Sequence, residues 1–142
     1  MSRISLTQAK TIIAAAFDKG AALGLKPLSV AVLDAGGHLI AFERQDGGSF
    51  LRAQIACGKA GGALALGVSS RKIGEMAVER PTFVGSLGHL SAPGLVPAAG
   101  GVIVVDAEGA PLGAIGVTGD TSDNDEICAL AGIAAAGLRA QP

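Results

Sequence analysis

Apolar positions in this chain fall into two kinds of run. Between Leu28 and Arg44 they are almost continuous: Val30-Ala31-Val32-Leu33, a break at Asp34-Ala35-Gly36-Gly37, then Leu39-Ile40-Ala41-Phe42, closed by Glu43 and Arg44. Short unbroken runs bounded by turn residues predict strands. The break predicts a tight turn, with an aspartate to bond the backbone ahead of it and glycines free to take positive φ. The pattern returns at Val102-Ile103-Val104-Val105, Asp106-Ala107-Glu108-Gly109 and Pro111 to Thr118. The second turn suits a type I turn ending in a glycine bulge. Two such hairpins predict an antiparallel sheet of at least four strands. Strands this continuously apolar leave no wet face, so helices or a partner subunit are expected over both faces.

The other runs have helical spacing. Ser5 to Gly24 reads as a helix: Ser5 and Gln8 match a capping box, Leu6, Ala9, Ile12, Ile13, Ala16 and Phe17 share a face, and Gly24 and Pro27 stop it. Phe50 to Gly67 reads as a second helix with Leu51, Ile55, Gly58, Gly62 and Leu66 on one face. Gly58, Gly61 and Gly62 together cost about 3 kcal/mol against alanine, which very close packing against a sheet or another helix must offset. Ser70 to Glu79 predicts a shorter helix capped by Ser70. Thr82 to Gly101 carries five glycines and prolines before its closing Gly100-Gly101 pair and reads as a long loop, of the kind that often holds function. Gly113 and Gly116 interrupt the last strand, which suggests a bulge or something pressing on the backbone. Asp123 is expected to open the final helix with Glu126 as capping partner, Ile127, Leu130, Ala131, Ile133, Ala134 and Leu138 as its buried side, and Arg139 at the negative end of its dipole. The order is α-β-β-α-α-loop-β-β-α, an α+β layer arrangement.

Composition narrows this picture. The 142 residues suit one domain spanning 1–142, and 49% of them are hydrophobic. There are 22 glycines but four phenylalanines and no tyrosine or tryptophan. That leaves little side-chain volume for a large private core, so a homo-oligomer, dimer or higher, is expected to bury the remaining apolar surface. A net charge of −1 with both signs scattered gives no footprint for nucleic acid. No run is long enough to cross a membrane and the N-terminus has no signal-like apolar core, so a cytoplasmic protein is expected.

Three segments in this order, VAVLDAGGHLIAFERQDG, IACGKAGGALALG and GGVIVVDAEGAPLGAIGVTGDTSDNDEICALAG, resemble the GlcG/HbpS-like family of haem-binding or haem-degrading domains, which is related to the C-terminal domain of some corrinoid adenosyltransferases. The resemblance runs from about Leu6 to Leu138. It implies a profilin-like fold, a central antiparallel sheet built from two hairpins with helices on its faces. It also implies homo-oligomers and, as cofactor, haem. The chain departs from the usual family pattern after Gly100-Gly101, where Val102-Ile103-Val104 stands in place of Val-Pro-Ile, and in the loop after Phe83.

Several residues could carry chemistry. Lys59, among small neighbours, reads either as a solvated or salt-bridged lysine or as a cation for a carboxylate, with a pKa displaced by burial. Arg44, at a strand end, reads either as the partner of Asp46 or Asp34 or as a fork for an anionic ligand. Together they would suit the propionates of a tetrapyrrole or a small organic acid. Axial ligands for haem are available in His89, His38, Cys57, Cys128 and Met76. His89 is the strongest because it lies in the glycine-rich loop; His38 is expected at an exposed hairpin end and both cysteines as buried thiols. Asp123, Asp125 and Glu126 read as helix capping or as a general base. No paired metal-ligand spacing is present. The Gly100-Gly101 pair would either pack closely or offer backbone to a ligand. The first functional reading is a haem- or small-ligand-binding protein with a pocket between the sheet, the Lys59 helix and the 82–101 loop, lined by His89, Lys59, Arg44, Gly100 and Gly101. The alternatives are an isomerase- or hydrolase-like enzyme on an organic acid, with Lys59, Arg44 and Asp125 in anion binding and proton transfer, or a non-catalytic accessory subunit.

Overall fold

The computed structural model describes residues 3–142. Both hairpins form. β1 (Ser29–Asp34) and β2 (Leu39–Arg44) turn at Asp34, whose Oδ1 accepts the Gly36 and His38 N–H groups. β3 (Gly101–Val105) and β4 (Pro111–Thr118) turn at Asp106, which accepts from Glu108 and Ala110 in the same way. Gly37 and Gly109 take φ of 84° and 86°, the left-handed step that each turn needs. The hairpins lie side by side in one sheet, joined through antiparallel β1 and β4, in the order β2-β1-β4-β3-β5. The fifth strand, β5 (Arg139–Ala140), is an addition to the four expected. The last helix ends at Ala135, so Arg139 pairs with Val105 at the sheet edge and is not at the helix terminus.

The two faces are covered differently. α1 (Leu6–Leu23) and α5 (Ser122–Ala135) pack on one face, over Val30, Val32, Val104, Ile115 and Val117. The Ser5–Gln8 capping box opens α1 as expected. Gly132 of α5 lies against the Ile12 carbonyl, so these two helices approach backbone to backbone. That approach turns Cys128, Ala129, Gly132 and Ile133 inward and leaves Ile127 and Leu130 exposed, contrary to the expectation that they are buried. α5 is capped by Thr121, whose hydroxyl accepts the Asn124 N–H; Asp123 lies within the first turn.

The other face belongs to α2 (Arg52–Leu66), over Leu33, Ile103, Val105 and Ala114. It begins two residues later than expected, and Phe50 and Leu51 are exposed before it. Its buried side is Ala56, Lys59, Ala60 and Ala63, with Gly58, Gly61 and Gly62 beside them; Leu66 faces outward. Sheet glycines make this possible. A Cβ at Gly101 would strike the Lys59 carbonyl, and one at Gly116 the Ala56 carbonyl. Those glycines let α2 lie unusually close to β3 and β4.

α3 (Ser70–Glu79) is capped by Ser69, one residue earlier than expected, because Ser70 is buried and accepts the Gly101 N–H at 2.7 Å. α4 (Pro81–Leu87) occupies the start of the stretch expected to be a loop, with Pro81 in its first turn, where a missing N–H costs nothing.

Candidate functional site

The glycines of α2 receive a loop, not a second helix. Val96 seats on Gly58, Pro93 on Gly61 and Leu95 on Gly62; a Cβ on Gly58 would lie 2.7 Å from Val96 Cγ2 and one on Gly62 3.0 Å from Leu95 Cα. The Val96 N–H donates to the Gly58 carbonyl at 3.2 Å. Residues 93–97 are thus fixed in a trough along the helix, and residues 88–92 project beyond it.

Lys59 lies beneath, on the sheet side. Its ammonium donates to the Val117 carbonyl at 3.0 Å and to Asp125 Oδ2 at 3.1 Å. The two side chains are 4% and 2% exposed. Asp125 Oδ1 accepts the Asp120 N–H at 3.0 Å. Burial pushes the Lys59 pKa down, opposed by the carboxylate of Asp125. The pair ties α2, β4 and the start of α5 together. Gly100 completes the cradle: its φ is 128°, and a Cβ there would stand 2.9 Å from Lys59 Nζ. Of the residues expected to act on a ligand, Lys59, Asp125, Gly100 and Gly101 therefore come together, around this chain's own ion pair. Asp123 and Glu126 turn the other way and hold Arg71.

Arg44 lies apart from that group. It helps line a cavity of about 590 Å³ between the end of α1 and β2, together with Phe17, Lys26 and Glu43. It makes no ion pair with Asp46 or Asp34. His89 follows α4 in the projecting segment and is exposed. Beside it runs an open groove of about 580 Å³, walled by Ala53, Gln54 and Cys57 of α2 and by Gly88, Ala92 and Pro93. Burial raises the pKa of the half-buried Cys57 thiol. Cys128 of α5 is buried in the core that α5 shares with α1, and His38 is exposed at the first turn, 3.3 Å from Asp34. The described residues contain no cluster of three metal-ligating side chains and no helix long and apolar enough to cross a membrane.

Sequence reading passed over three residues near Arg44. Ser29 and Thr118 are buried polar positions in otherwise apolar strands, and Arg52 donates to the Thr118 hydroxyl at 2.8 Å. A hydroxyl inside a β-branched run was the available signal.

Asp120 organises the turn that feeds Asp125. It accepts from Asn124 Nδ2, the Lys26 N–H and the Thr121 N–H, which together hold its carboxyl at about 2, against an ordinary 3.8. A carboxyl depressed by folding stabilises the fold fully above its unfolded value, and that stabilisation is lost as pH falls through the folded value. Asp120→Asn is accordingly expected to be less stable than the parent at neutral pH, with the gap closing between about pH 4 and pH 2. Urea titrations across that range check this; a gap independent of pH would contradict it.

The fold and sequence have known relatives. A PduOC–haem complex superposes with a TM-score of 0.86 at 21% identity, covering 99% of each chain. Klebsiella pneumoniae protein ORFY matches with a TM-score of 0.83 at 25% identity over 94% of this chain and 90% of its own. HbpS matches with a TM-score of 0.79 at 31% identity, over 93% and 89%. No curated protein matches the sequence. The family model described as "Haem degrading protein HbpS-like" matches residues 4–134. With nearly every element of the fold inside that span, the chain belongs to the HbpS-like family of haem-degrading proteins.

Proposed function

We propose that the chain binds haem, or a flat ligand of similar size, in the groove between α2 and residues 88–94. The observation that carries this reading is the family match over residues 4–134. The groove residues fit such a group: the walls are mainly small and apolar, and His89 stands at the rim between two lining positions, Gly88 and Ser91. An imidazole is a common axial ligand for haem iron. Haem held there would supply a redox-active iron. The protein's part is to hold the ring, with Pro93 fixed on Gly61 as one wall and α2 as the other. In this reading Lys59, Asp125, Gly100 and Gly101 act indirectly, by setting where α2 lies. Exposed Phe50, Val78 and Leu90 support a homo-oligomer as its working form.

Titration with hemin tests the proposal. The expected result is a saturable Soret shift, weakened at least tenfold in affinity by His89→Ala, a change on the surface that leaves the core intact. An unsaturable, unshifted spectrum would overturn the binding reading. A full shift in His89→Ala would remove His89 as ligand.

A further inference from the structure

Ser29 Oγ is buried and has no hydrogen-bond partner, the only such side-chain atom among the described residues. A buried hydroxyl without a partner costs about 1–3 kcal/mol, so its surroundings need explaining. Ser29 sits in the middle of a row across three strands. Its cross-strand partner on β2 is Arg44 and on β4 is Thr118, and directly paired residues point to the same face of a sheet. The face is the one that α2 covers, because Arg52 of α2 donates to Thr118 on it. The row therefore carries Arg44, Ser29 and Thr118 at its register positions, with the Arg52 guanidinium on the Thr118 hydroxyl and the Arg44 stem against Gly48 at the outer end. Neither arginine has a carboxylate partner within ion-pair distance among the described residues. Lys59 of the same helix is paired with Asp125, and Arg52 helps to depress its pKa. The nearest buried acid, Asp125, is already committed to Lys59.

We infer that this row is a binding site for the carboxylate group of a small organic acid, separate from the groove beside His89. The Arg52 fork matches the planar two-oxygen geometry of a carboxylate, and Arg44 adds a second positive charge at the edge of the row. Ser29 Oγ–H supplies a donor that now has nothing to donate to. Thr118 accepts from Arg52 and keeps its own proton free for the ligand. A monoanion suits the depth of the site: Ser29 and Thr118 are each 1% exposed, and stripping a phosphate dianion of water at such a place costs far more than stripping a carboxylate. Arg44 is exposed and Arg52 half-buried, so a ligand would have to enter on the side of these two positions.

Calorimetric titration of the whole chain with acetate and with propanoate, at constant ionic strength made up with chloride, tests the site. The expected result is saturable binding of one carboxylate per chain. Arg52→Met and Arg44→Met should each weaken it about tenfold or more, and Ser29→Ala severalfold. Arg139→Met, an exposed charge change on β5, should leave it unchanged. Urea titrations of each variant separate lost binding from lost folding, and Ser29→Ala, which removes an unsatisfied hydroxyl, is expected to fold at least as well as the parent. No saturable heat with either acid would overturn the inference. So would binding that survives both Ser29→Ala and Arg52→Met, or binding of inorganic phosphate in preference to acetate.

Discussion

Asp125→Ala is expected to lower the unfolding free energy by about 3–5 kcal/mol, a large share of the stability of a domain this size. The loss arises from what remains. Lys59 would keep its ammonium among buried backbone with only the Val117 carbonyl to bond, and the Asp120 N–H would lose its acceptor. Lys59→Met removes the opposite partner and strands the carboxylate, so it should cost a similar amount. The double variant Lys59→Met/Asp125→Leu should recover most of the loss, because an apolar pair of similar volume often equals or exceeds a buried ion pair in stability. Urea unfolding of the three variants gives the coupling directly. Additive single losses in the double variant would show that the residues do not act as a unit.

Gly116→Ala is expected to be at least as damaging. Its Cβ would sit far inside van der Waals contact with the Ala56 carbonyl oxygen, with Ala60 Cβ behind it. Both belong to a helix, so neither can swing aside as a long side chain would. Relief requires α2 to lift off β4, which also disturbs the Lys59 cradle. A loss on the order of 3 kcal/mol or more, up to failure to fold, follows from overpacking against rigid backbone. Gly85→Ala is the control. Gly85 lies in α4 with open space around it, and alanine there should be neutral or stabilising by up to about 1 kcal/mol. Thermal melts of the two variants side by side distinguish a contact effect from a general intolerance of glycine loss; equal destabilisation would contradict the account.

The elements were legible where a local rule decided them. Each Asp-Ala turn binds its own backbone whatever surrounds it, so both hairpins could be read from the sequence and proved to share one sheet. The capping box at Ser5 is equally local. Which side of a helix is buried was less legible in α2 and α5. Both contact their neighbours through glycine and alanine, so hydrophobic size stops marking the inner face, and Leu66, Ile127 and Leu130 pointed outward. The HbpS-like family, and with it the α+β fold, followed from the order of the quoted segments. The site was legible only in part. Lys59 and Asp125 lie 66 positions apart, and nothing short-range announces their contact. Arg44 was noticed for its charge, but its neighbour Ser29 matters for a missing bond, which no sequence displays.

The seating of residues 93–97 on the α2 glycines separates two heritable tasks. The helix supplies a rail, a strip of bare backbone on which Pro93, Leu95 and Val96 are seated. The projecting turn at 88–92 can then be exchanged, lengthened or recoloured in chemistry while the rail stays the same. A change of ligand preference at the groove would then need only a handful of codons between Gly88 and Gly94, with the helix and the sheet beneath left as they are.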